Sequence, residues 1–137
     1  MNISSKCDYA CRAIVELAKQ AHTQQPVRAT QIAESRGIPE KYLVHILLQL
    51  KHAGLVRSVR GALGGYYLER PADDISLADV IKAIDGPILE QPAVDDMFGQ
   101  DLEPTWRQVA KEIEDVLDGI KVQGILDNAN QAHMYHI

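Results

Sequence analysis

Arg57-Ser58-Val59-Arg60-Gly61-Ala62-Leu63-Gly64-Gly65-Tyr66-Tyr67-Leu68 is the stretch on which the fold turns. Two short strand-like runs flank a loop that holds three glycines and is tipped by Arg60. The loop glycines allow a backbone with positive φ and a close approach to a phosphate wall. Just before it, an amphipathic run from Pro39 to Ala53 stops at Gly54. A helix followed by a thin cationic hairpin suits a domain that lays one element in a DNA major groove and the other beside it. An ordinary hairpin has the same loop, so the neighbouring segments carry the decision.

Upstream, Thr30-Gln31-Ile32-Ala33-Glu34-Ser35 predicts a short helix stopped at Gly37, and Pro39 suits the first turn of the next one. Short helix, glycine turn and longer helix make a helix-turn-helix, with the hairpin as its wing. With Lys41 set at zero, Leu43, Ile46, Leu47 and Leu50 fall at about 200°, 140°, 240° and 180° around the longer helix. They form a single buried stripe. Lys41, His45 and His52 fall at about 0°, 40° and 20°, flanked by Val44 and Gln49. That outward stripe is polar and neutral-to-basic, as a groove reader requires. Leu48, at about −20°, interrupts it and is expected to pack elsewhere, where the helix leaves the groove.

Further out, Ser4 or Ser5 caps a first helix to about Gln20, with Ala10, Ala13, Ile14, Leu17, Ala18 and Ala21 on one face. Downstream, Ser76 caps a fourth helix whose apolar face is Val80, Ile81 and Ile84 and whose stop is Gly86-Pro87. Asp79 in its first turn complements the helix dipole. Residues 87–104 hold three prolines and five acids with little periodicity, and read as an acidic linker. Thr105-Trp106-Arg107-Gln108 fits a capping box for a last long helix. Trp106, Val109, Ile113, Val116 and Ile120 repeat along it at 3-4-3-4 spacing, the seam of a coiled coil. Such a stripe finds its partner in a second copy of the chain, or else packs back on the first domain. The expected organisation is a DNA-binding domain over 1–86, a linker over 87–104, and a dimerisation helix and tail over 105–137.

Charge divides at the same place. The net charge is −5, yet residues 1–70 carry ten Lys/Arg against five acids and residues 71–137 carry four against fourteen. The front half is +5 and the rear half −10, so phosphate contact belongs to the front. No apolar run approaches membrane-spanning length, and a signal-peptide pattern is absent; the expected location is the cytoplasm, with no membrane partner. Cys7 and Cys11, at i, i+4 on the first helix, make neither a disulfide framework nor a complete metal site, and are expected as packing material. His133 and His136 could chelate and Asp95, Asp96 and Asp101 could hold a hard cation, but a terminal tail and an acidic loop are the simpler accounts. No metal site and no cofactor are expected. The serines lack a nucleophile motif and no P-loop occurs, so no enzyme is expected either.

Met1-Asn2-Ile3-Ser4-Ser5-Lys6, Tyr9-Ala10 and Ala13 resemble the N-terminal signature of the Rrf-two family of bacterial winged-helix transcription regulators. Ile32-Ala33-Glu34, Gly37-Ile38-Pro39, Tyr42-Leu43, Leu50-Lys51 and Ala53-Gly54-Leu55-Val56 continue the likeness. So do Ser58-Val59-Arg60-Gly61, Gly64-Gly65-Tyr66, Asp79-Val80-Ile81 and Ala83-Ile84-Asp85-Gly86-Pro87. The resemblance covers about residues 1–87 and implies a mainly α fold: a winged helix-turn-helix with a two-stranded wing and a long C-terminal dimerisation helix. It implies a homodimer on a pseudo-palindromic double-stranded DNA operator, acting as a transcription regulator that represses or activates nearby promoters, with repressor the favoured reading. By position it places Lys41, Val44 and His45 on the base-reading face and Arg60 in the minor groove. Lys6, Tyr9, Arg28, Thr30, Ser58, Gly61, Gly64 and Gly65 complete the expected DNA-binding set.

Two departures from the family pattern matter. Val44 stands where other members carry an acid; it can touch a thymine methyl but cannot accept from cytosine. Cluster-binding members place three cysteines between the fourth helix and the dimer helix, whereas residues 87–104 contain no Cys and no His. The chain therefore resembles the cluster-free branch, the cysteine-metabolism repressors, more than the iron–sulfur sensors. Its signal is expected to be a small-molecule effector or a regulatory partner protein, with a pocket between the first domain and the dimer helix as the effector site. The competing reading is a protein-interaction module on a winged-helix scaffold that has lost specific DNA binding.

Overall fold

The computed structural model describes residues 2–91 and 96–136, with side chains through Ala132. Helix α1 (Ser5–Gln20) is capped by Ser4, whose Oγ accepts from the Cys7 amide at 3.0 Å. Its inner face is Cys7, Ala10, Ala13, Ile14, Leu17 and Ala18, all buried; the alanines let neighbouring helices approach closely. Ala21, expected on that face, is exposed instead, because the chain tightens there into a 3₁₀ turn over Ala21–Thr23.

Helices α2 (Ala29–Arg36) and α3 (Glu40–His52) meet through Gly37-Ile38-Pro39. Ile38 is buried in the elbow and its amide donates to the Ala33 carbonyl at 3.0 Å. Leu43, Ile46, Leu47 and Leu50 of α3 are fully buried, as the angular pattern requires. They pack with Ile14, Leu17, Ile32, Leu55, Val56, Ile75 and Val80 into one core. Strands β1 (Val56–Val59) and β2 (Gly65–Leu68) pair antiparallel in the register Val56↔Leu68 to Val59↔Gly65. Val27 forms a separate antiparallel bridge to β2, exchanging backbone bonds of 2.9 and 2.8 Å with Tyr66.

Helix α4 (Leu77–Asp85) starts at Ser76 with a full capping box: Ser76 Oγ accepts from the Asp79 amide, and Asp79 accepts from the Ser76 amide. Asp79 thus does more than complement the dipole. Helix α5 (Glu103–Asp118) begins two residues before the expected Thr105. Leu102 is the capping residue and makes no side-chain cap bond, so the capping box read at Thr105–Gln108 does not form. Pro104 in the first turn sets the start, since its missing amide would have no partner there anyway.

Among the described residues, the stretch expected as one helix and a tail is two helices. Helix α5 ends at Asp118, and α6 (Val122–His136) follows. The break has a physical cause. Segment 120–122 lies antiparallel to 75–77, with the Leu77 amide donating to Ile120 at 3.0 Å and the Val122 amide donating to Ile75 at 2.9 Å. Val122 then buries itself in the core of the winged domain, and α6 lies against α1 and the turn at Ala72–Asp74. His133 and His136 therefore belong to a helix, with side chains outside the described residues. Asp95 also lies outside them.

Candidate nucleic-acid interface

The outward face of α3 holds Lys41, Val44, His45, Leu48 and His52, all exposed. Lys41 leans its ammonium over the Tyr42 ring, 5.4 Å from the centroid. Leu48 does not pack elsewhere, as its apolar character suggested. It is 50 % exposed and stands on the same face as Val44, which is 55 % exposed.

Arg60 is exposed at the wing tip and, among the described residues, forms no ion pair. Elsewhere the wing is tied down at several points. Lys51 Nζ donates to Ser58 Oγ at 2.9 Å, joining the end of α3 to β1. The Arg57 guanidinium lies over the Tyr67 ring at 4.4 Å. Arg28, at the cap of α2, donates to the Ala62 carbonyl and so anchors the tip from the other side. A cation facing a carbonyl forms one of the stronger hydrogen bonds available on a surface.

Two wing glycines are needed for reasons internal to the protein. A Cβ on Gly64 would stand 2.2 Å from the Val59 carbonyl oxygen. One on Gly65 would stand 2.6 Å from the Val27 carbonyl oxygen, at a backbone φ of +154°. The close approach expected toward phosphate is here an approach of the chain to itself. Gly61, with Ala62, lies exposed at the tip.

Lys6 is exposed on the first turn of α1 and Thr30 on the first turn of α2. Tyr9 is half-buried against the core with the Arg12 guanidinium 5.1 Å from its ring centroid, and Arg12 also reaches the Arg36 carbonyl at 3.1 Å. A buried ion pair between α1 and α2 has no counterpart among the residues expected from the sequence. Glu16, almost fully buried, receives Arg36 Nε at 2.8 Å and Gln20 Nε2 at 3.1 Å, locking α1 to α2. Twenty residues separate the ionic partners, so no local pattern announces them.

On α5, Trp106 and Val116 are 45 % and 66 % exposed, while Val109 and Ile113 are half-buried. Ile120, expected on the same seam, lies beyond the helix end. The opposite side of α5 is fixed to α4 through the Lys82–Glu114 ion pair and a 3.2 Å bond from Ser76 Oγ to Asp118. Beside Trp106, Leu89, Glu90 and Gln91 line a cleft of about 230 Å³ at the junction of linker and α5.

The donor set does not fit a cysteine-held iron–sulfur cluster. The two cysteines are both on α1, with Cys7 buried and Cys11 partly so, and among the described residues no group of three or more His, Cys, Asp or Glu side chains converges. Hydrogen bonding to Cys7, burial and the carboxylates of Asp8 and Asp85 push the Cys11 thiol well above its ordinary pKa, while the same hydrogen bond lowers that of Cys7. No helix among the described residues is long and apolar enough to cross a membrane.

A helix-turn-helix with an open reading face and an arginine-tipped, clamped wing is the architecture of a DNA-binding transcription regulator. Residues 3–128 match the family model Rrf2, described as iron-dependent transcriptional regulator. The chain is 33 % identical over 140 residues to the HTH-type transcriptional regulator CymR of Bacillus subtilis, covering the whole of both. The solved structure of that global cysteine regulator superposes with a TM-score of 0.79 at 32 % identity, over 93 % of this chain and 98 % of that one. The structure of T. potens IscR gives 0.77 at 36 % identity, over 98 % and 96 %. The protein belongs to the Rrf2 family of transcriptional regulators.

Proposed function

We propose that the chain acts as a homodimer on a pseudo-palindromic operator and represses the promoter it covers. The observation that carries this reading is the pairing of an open α3 face with an exposed Arg60 on a wing held at its strands and its tip. A narrow minor groove concentrates negative potential, and an arginine on a fixed hairpin enters it without a large ordering cost. Lys41, Val44 and His45 contact base edges, with Lys6, Tyr9, Thr30, Ser58 and Gly61 along the backbone. Arg28, Gly64 and Gly65 serve the same interface indirectly by holding the wing in place. The stripe on α5, with Trp106 and Val116 exposed and Val109 and Ile113 half-buried between them, supports pairing through that helix. An effector or partner protein that moved α5 against α4 would alter the spacing of the two reading helices.

The test is binding of the purified full chain to genomic fragments at rising salt, with footprints mapped across the genome. Selective binding that falls steeply with salt, as counterion release loses its advantage, is the expected result. Absent binding, or weak binding that is equal for all fragments, would instead favour an interaction module.

A further inference from the structure

The reading face of α3 is not purely polar. Its packing within the chain is complete without Leu48: Leu43, Ile46, Leu47 and Leu50 fill the inner stripe and are fully buried. Leu48 stands opposite them, half-exposed and outside the core cluster. Val44 precedes it by four residues, so the two side chains are neighbours one turn apart. Together they form a small apolar patch bordered by Lys41, His45 and His52, with Lys51 tied to the wing alongside.

A leucine left half in water forgoes much of what burial would contribute to the fold, and Lys41 and Lys51 beside it suit a polyanion. In a duplex major groove the base pairs offer one apolar group, the C5-methyl of thymine. We infer that Leu48 joins Val44 in reading thymine methyl groups, so that each half-site requires thymine beneath the middle turn of α3. This rests on the operator binding proposed above and adds a specificity-determining residue to it. The patch replaces hydrogen-bonded reading at these steps, where neither side chain can donate or accept.

The probe is a duplex selected from a random pool by the full-length protein, then synthesised with thymine or with uracil in its half-sites. Uracil keeps the O4 acceptor and the pairing and loses only the methyl. One methyl withdrawn from water is worth about fourfold in affinity, so two half-sites predict a loss on the order of tenfold for the native protein. Leu48→Ala should shrink that thymine-to-uracil ratio to about threefold or less, and Val44→Ala with Leu48→Ala should bring it to about one. Binding of Leu48→Ala to the uracil duplex should stay near that of the native protein. Leu48→Gln, which keeps the length and loses the apolar contact, guards against a folding artefact and should behave like Leu48→Ala. A native protein indifferent to the methyl, or an unchanged ratio in Leu48→Ala and Leu48→Gln, overturns the inference while leaving operator binding intact. Failure to select any duplex would remove the operator reading and this inference with it.

Discussion

Arg60 and Glu16 show two ways in which one residue serves the same surface. Arg60 is exposed and unpaired among the described residues, so its charge is available to a groove. Arg60→Ala should lose about 1–3 kcal/mol of operator affinity without changing the oligomeric state, measured by titration of a labelled duplex beside sedimentation. Unchanged affinity would reject its groove role. Glu16 works from inside, as a buried carboxylate satisfied by Arg36 and Gln20. Glu16→Ala strands the partly buried Arg36 and should cost about 1–3 kcal/mol of stability, read as a lower urea midpoint at an unchanged slope. Arg60 was legible because glycines and a basic run frame it locally. The Glu16–Arg36 pair was not, because its partners meet only once two helices pack.

At the scale of elements, the wing and α5 are each tied to their neighbours by bonds between distant residues. The wing is held by Val27 against Tyr66, by Arg28 at Ala62 and by Lys51 at Ser58. Gly65→Ala would drive a methyl into the Val27 backbone at a φ that other residues rarely adopt. It should destabilise the chain by about 1–3 kcal/mol and weaken operator binding more than Gly61→Ala does. Equal effects from the two would show that the Val27 contact is unimportant. For α5, the capping box at Ser76 and the bond to Asp118 join two helices through one hydroxyl. The cap was readable from Ser76 and Asp79. Its second use, toward a residue 42 positions away, was not.

For the whole molecule, the division of charge places an excess of +5 in the half that carries α3 and the wing and −10 in the half that carries α5 and α6. That asymmetry orients the molecule on a polyanion and keeps its rear away from it. Val116 is two-thirds exposed, so Val116→Asp leaves the protomer fold unstrained. It should convert a dimer to a 15.2 kDa monomer in sedimentation and weaken binding to a two-half-site duplex at least tenfold, with half-site binding little changed. A variant that stays dimeric would place the pairing surface elsewhere on the chain.

Periodicity, caps and turn residues by themselves determined the helix-turn-helix, the wing and the buried stripe of α3, because each is written in residues within about one or two turns of one another. They also suffice to place Arg60 at the tip. Only the tertiary structure decided that the C-terminal stretch bends back as a second helix, since Val122 gains its burial from a core assembled elsewhere. It also decided that Arg28 holds the wing, that two glycines answer to the protein's own backbone, and that Leu48 stays on the outward face of α3. Each depends on which distant atoms arrive alongside, and that is set by packing, not by spacing along the chain.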